Sequence, residues 1–160
     1  MPHKPAHVAN SILYKAKQEG LEIRPLKIQK LIFFLHGWGL ATSGDAVVGE
    51  QFEAWPYGPV LSSVYQEFKG YGSDPITEYA CDFDPESGEE KQLMVSLNNE
   101  SFQQLLNTVW NKYKGFSGPQ LSAMTHAEGT PWKDVRDAGM TYIPNEKIAE
   151  YFTQLVNRGG

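Results

Sequence analysis

Apolar residues recur along most of this chain at helical spacing and alternate strictly only in short runs, so a helix-rich fold with a small sheet is expected. Val8, Ile12, Leu13 and Ala16 put one apolar face on residues 5 to 19, and Gly20 follows as the C-cap. From Leu26 to about Thr42 the set Ile28, Leu31, Ile32, Leu35 and Trp38 keeps the same spacing, but Phe33, Phe34 and Leu40 make the segment apolar nearly all round. That pattern predicts a central buried helix. Within it, Gly37 and Gly39 each cost about 1 kcal/mol relative to alanine, so either another element packs closely there or the helix frays early. Ser43-Gly44-Asp45 is a turn, and Val47 to Trp55 offers one or two short extended pieces. A third helix is expected from Pro59 to about Lys69, with Leu61, Val64, Tyr65 and Phe68 on one face and Gly70-Tyr71-Gly72 ending it.

Ile76 to Phe83 and Gln92 to Leu97 are expected to form a hairpin of two strands across an acidic link. The stripe Phe102, Leu105, Leu106, Val109, Trp110 and Tyr113 defines the clearest helix. Ser117 caps a shorter helix carrying Leu121 and Met124, Thr130-Pro131-Trp132 opens another turn or short helix, and Ile148, Tyr151, Phe152, Leu155 and Val156 mark the last. The sum is an α+β fold: one domain over residues 1–160, with about six helices and a small antiparallel sheet or hairpin inserted mid-chain.

Composition narrows the partners. With 160 residues the chain fits one domain that buries roughly 70% of its unfolded surface. Its 14 basic and 19 acidic residues give a net charge of −5. That argues against nucleic acid, whose binding draws on clustered Lys and Arg, and the small group Arg24, Lys27 and Lys30 does not reverse it. A single cysteine, Cys81, excludes an internal disulfide framework and a multi-cysteine zinc site, and is expected to be a half-buried strand thiol. The start is polar and no apolar run reaches ~18 residues, so neither a signal peptide nor a membrane span is expected, and a cytoplasmic location follows.

Enzyme signatures are incomplete. The acidic run from Asp82 to Glu90 begins like a calcium loop, but Ser87 stands where glycine is needed and Leu93 where a bidentate glutamate belongs. It reads as a solvated hairpin tip. His126-Ala127-Glu128 has the His-x-Glu form of zinc deaminases without their paired cysteines. A general acid/base pair of His126 and Glu128 is the one catalytic alternative; otherwise no catalytic residue, metal site or cofactor is expected. The signal that stands out is Trp55-Pro56-Tyr57-Gly58-Pro59-Val60, where two prolines stiffen the backbone around two large rings. Rigid, half-covered rings at such corners are a common means of gripping a protein partner. The candidate partner-binding residues are therefore Trp55, Tyr57, Pro59, Tyr65, Tyr71, His126 and Trp132.

Three blocks give these residues a context: Leu26-Lys27-Ile28-Gln29-Lys30-Leu31-Ile32-Phe33-Phe34, then Gly37-Trp38, then Phe52 to Val60. They continue in Val64-Tyr65, Phe68, Tyr71-Gly72, Leu121-Ser122, Thr125-His126 and Pro131-Trp132. Together they resemble the Panacea-domain antitoxin family, which includes SocA-like and GepA-like phage-associated proteins, from about residue 5 to residue 138. The resemblance implies the antitoxin of a toxin–antitoxin system, often on a mobile element, which neutralises its cognate toxin by direct protein binding. It also implies, as an alternative, an adaptor that delivers the toxin to a ClpXP-type protease. Many members of the family carry extra domains, some for DNA binding; none is expected within these 160 residues.

Overall fold

In the computed structural model, which describes residues 2–159, the elements run in the order α1 (Pro5–Gln18), α2 (Pro25–Ser43), β1 (Phe52–Trp55), β2 (Gly58–Val60) and α3 (Ser62–Phe68). They continue with β3 (Asp82–Asp84), β4 (Glu89–Lys91), α4 (Glu100–Tyr113), α5 (Gly118–Thr125), α6 (Pro131–Asp137), β5 (Tyr142–Ile143) and α7 (Asn145–Asn157). The class is α+β and helix-rich, with seven α-helices among the described residues where the sequence suggests about six.

Helix α2 is the axis of the molecule because it has no polar face to give to water. Every residue from Ile28 to Gly37 is buried, and α1, α3, α4, α5, α7 and β2 all pack on it. Gly37 resolves the two alternatives for the glycine pair. A Cβ there would collide with Cδ2, Cε2 and Cζ of Phe152 in α7, so the glycine admits a close crossing and α2 runs on unfrayed to Ser43. Phe152 is itself boxed in by Phe33, Phe34, Trp38 and Tyr151 at ring separations of 5.3–6.0 Å. Next to Gly37, His36 joins three parts of the chain. Its Nδ1 accepts from the amides of Val47 and Val48 at 3.3 Å each, so Nε2 carries the proton and donates to Asn145 Oδ1 at 2.9 Å. Burial holds the His36 pKa below its ordinary value, against the opposing pull of the Asn145 bond.

The sheet differs from the sequence expectation in two places. Residues 58–60 pair with β1 as a second strand, and a third piece, β5, closes the other side, giving the antiparallel order β2-β1-β5. The helix expected from Pro59 therefore begins at Ser62. Proline is tolerated because β2 is an edge strand: Pro59 has no amide to offer, and its carbonyl turns outward to a helix side chain.

The mid-chain hairpin exists, but only at its acidic tip, where β3 pairs with β4. The runs expected to form it, Ile76–Phe83 and Gln92–Leu97, do not pair with each other; Asp82 and Phe83 pair with Lys91 and Glu90. Buried polar side chains of α1 take their backbone groups instead. Asn10 donates to the carbonyls of Ala80 and Leu93 and accepts from Ala80 N, and Ser11 Oγ accepts from Val95 N. Cys81 lies just before β3 and is exposed, not a half-buried strand thiol.

Candidate binding corner

The β1–β2 reversal is a two-residue loop, Pro56-Tyr57, between paired Trp55 and Gly58. Pro56 fixes φ at the first loop position, and the reversal is completed by Gly58 at φ 113°, a region that disfavours side chains. Gly58 is required a second time for space. A Cβ there would stand 2.6 Å from Lys30 Cε and 2.8 Å from Thr125 Oγ1.

Around this loop the backbone is clamped by five side chains. Trp132 Nε1 donates to Trp55 O at 2.7 Å, and Ser122 Oγ donates to Tyr57 O at 2.6 Å. Lys30 Nζ donates to Pro59 O at 2.9 Å, and the Gln29 amide brackets Leu61, donating to its carbonyl at 3.0 Å and accepting from its N–H at 2.9 Å. Arg136 Nη1 donates to Ala54 O at 3.1 Å. Residues from α2, α5 and α6, some more than a hundred positions apart in sequence, converge on one turn.

The result separates the expected site residues into two kinds. Tyr57 is 72% exposed and Tyr65 is 43% exposed; Trp55 is half-buried, edge-on to Tyr65 at 4.8 Å. Pro59 and Trp132 are buried, so neither is available to touch a partner; they brace the corner. His126 stacks on Trp132 at 4.0 Å and 13°, with Arg136 on the same indole at 5.6 Å. Its Nε2 is buried without a hydrogen-bond partner. Burial lowers the His126 pKa, helped by the charges of Lys30 and Arg136. This ring is placed to hold an indole, while Glu128 stands exposed. Tyr71 is half-buried and its hydroxyl accepts from Glu78 N, which fastens the loop after α3.

Beside the exposed rings, Pro25 and Leu26 of α2, the loop, and Val64 and Phe68 of α3 enclose an open groove of about 490 Å³. Lys30 lies in its wall with no exposed surface. Burial pushes its pKa down from 10.5 to about 7. Sequence reading set Lys30 aside as one member of a small basic group. The available signal was its position: a lysine in a run of residues apolar on every side has no surface to reach. Among the described residues no three His, Cys, Asp or Glu side chains are gathered to hold a metal ion.

Residues 28–133 match the family described as Antitoxin SocA-like, Panacea domain. The chain belongs to that family. It is 36% identical over 126 residues to Antitoxin SocA of Caulobacter vibrioides (strain NA1000 / CB15N), an alignment covering 78% of this chain and 66% of that protein. The match thus spans slightly less than two thirds of the relative's length. No solved structure matches the chain. Within the Panacea domain as this chain builds it, Gln29, Lys30, Ser122 and Trp132 are scaffolding for one corner, and Tyr57 and Tyr65 are what the corner shows to solvent.

Proposed function

We propose that this chain is the antitoxin of a toxin–antitoxin pair and that it neutralises its cognate toxin in the cytoplasm by direct binding, without catalysis of its own. The binding surface is the exposed side of the corner and α3, centred on Tyr57 and Tyr65. Membership of the SocA-like family supports the antitoxin role.

One observation carries the assignment of the surface: the ring of Tyr57 is 72% exposed while its own carbonyl is fixed by a 2.6 Å bond from Ser122. A tyrosine presented on a braced backbone loses little freedom on contact, so more of its buried area appears as affinity.

Tyr57→Ala combined with Tyr65→Ala is expected to lower affinity for the toxin encoded beside it by roughly 30-fold or more, the scale of a central aromatic hot spot. Thermal unfolding should fall only modestly, because Tyr57 is 72% exposed and Tyr65, at 43%, gives up chiefly its edge contact with Trp55. The measurement is titration of a catalytically inactive toxin, with rescue of cells expressing the active toxin as the second readout. A double variant that binds and rescues like the wild type would show that the surface lies elsewhere. Toxin half-life in the same cells separates blocking from delivery to a ClpXP-type protease: blocking leaves it unchanged, and delivery shortens it.

A further inference from the structure

Resting on that reading, we propose that the groove beside Tyr57 and Tyr65 receives a segment of the toxin in which an acidic side chain lies next to apolar ones. The charge pattern of the groove is the reason. The chain carries a net charge of −5, with 19 acidic residues, yet the charged side chains lining the groove are Lys30 and Lys69, both basic. The remaining wall is supplied chiefly by Leu26, Val64, Phe68 and the aromatic rings.

Lys30 is the telling member. Among the described residues it makes no ion pair; its one hydrogen bond goes to the Pro59 carbonyl. That bond does not require a charge, since the neutral Gln29 amide satisfies the neighbouring Leu61 carbonyl in the same way. The ammonium is therefore surplus to the fold. Held behind a low-dielectric wall, it directs a positive potential into the groove, and Lys69 adds to it from the rim. Burial keeps that ammonium partly discharged near neutral pH, so an approaching carboxylate stabilises its charged form. Two cations amid apolar walls suit one carboxylate flanked by hydrophobic side chains; a nucleic-acid backbone needs a longer basic track.

The test uses the full chain and an inactive form of the toxin from the neighbouring gene. Lys69→Glu, an exposed change, should weaken binding roughly tenfold or more at low salt, and exchange of a single toxin Asp or Glu for Lys should restore it. Lys30→Met should weaken binding while raising the thermal midpoint of the free chain, a split that a merely structural lysine would not produce. If both variants bind like the wild type while the wild type binds tightly, the groove is not an acidic-segment site and the direct-binding reading stands. If the wild-type chain does not bind the toxin, the direct-binding reading fails and this proposal fails with it. Displacement of the toxin from the groove by a short DNA duplex would assign the groove to nucleic acid and overturn the proposal.

Discussion

Lys30→Met is expected to raise the midpoint of thermal unfolding at pH 7 by roughly 5–15 °C, an unusual gain for a single change in a buried position. The gap between the ordinary lysine pKa of 10.5 and the value of about 7 in the fold corresponds to a cost of up to roughly 5 kcal/mol for keeping the charge inside. Methionine fills a similar volume with no charge to bury. Losing the donor to Pro59 O returns about 1–2 kcal/mol of that gain, leaving a net stabilisation of roughly 2–4 kcal/mol.

The sign of the pH dependence follows from the lowered pKa. Stability is fully present above the unfolded pKa of 10.5 and is lost as pH falls toward about 7. The wild-type protein should therefore be more stable at pH 9 than at pH 7, and the Lys30→Met protein should lack that difference. Urea unfolding at a series of pH values reads both effects. A variant less stable than the wild type, with an unchanged pH profile, would mean that Lys30 is not buried as a charge.

Gly37→Ala should move stability the other way by roughly 2–4 kcal/mol. In an exposed helix the same change stabilises by about 1 kcal/mol, so the sign alone is diagnostic. The added methyl would enter the space of the Phe152 ring, and that ring cannot swing aside because Phe33, Phe34, Trp38 and Tyr151 surround it. Helix α7 must then lift from α2. Shrinking the obstacle with Phe152→Leu in the Gly37→Ala background should recover part of the loss, giving a favourable coupling in the double-mutant cycle. Additive losses, or a stabilised Gly37→Ala protein, would show that the crossing is looser than described.

How much of this was legible beforehand depends on the length of the signal. Helix α2 could be read because seventeen or so residues repeat one statement, apolar on all sides, and a glycine in such a run has only close packing to justify it. The stripe of α4 was equally plain. Strands β2 and β5 could not be read, since runs of three and two residues contain no period. The hairpin strands were misplaced for a different reason. Alternation in Gln92–Leu97 does mark a half-buried extended chain, but the hydrogen-bond partners turned out to be Asn10 and Ser11, more than eighty residues away.

At the proposed site, two of the residues that the sequence singles out lie inside the fold. Trp132 and Pro59 were expected to meet a partner and are buried as braces, because a ring at a Pro-rich corner looks the same in sequence whether it faces out or in. Lys30, Gln29 and Ser122 stand in the blocks that carry the resemblance, but nothing in the sequence gives them a part at the corner, since polar side chains on a helix ordinarily mean solvent. Only the tertiary fold shows that each reaches a strand or turn carbonyl.

Amide hydrogen exchange of the chain, alone and with the inactive toxin, tests the central claim most directly. Slowed exchange should concentrate in residues 55–69, across the corner and α3. Protection confined to the α4 and α7 surfaces, with residues 55–69 exchanging as in the free chain, would contradict it.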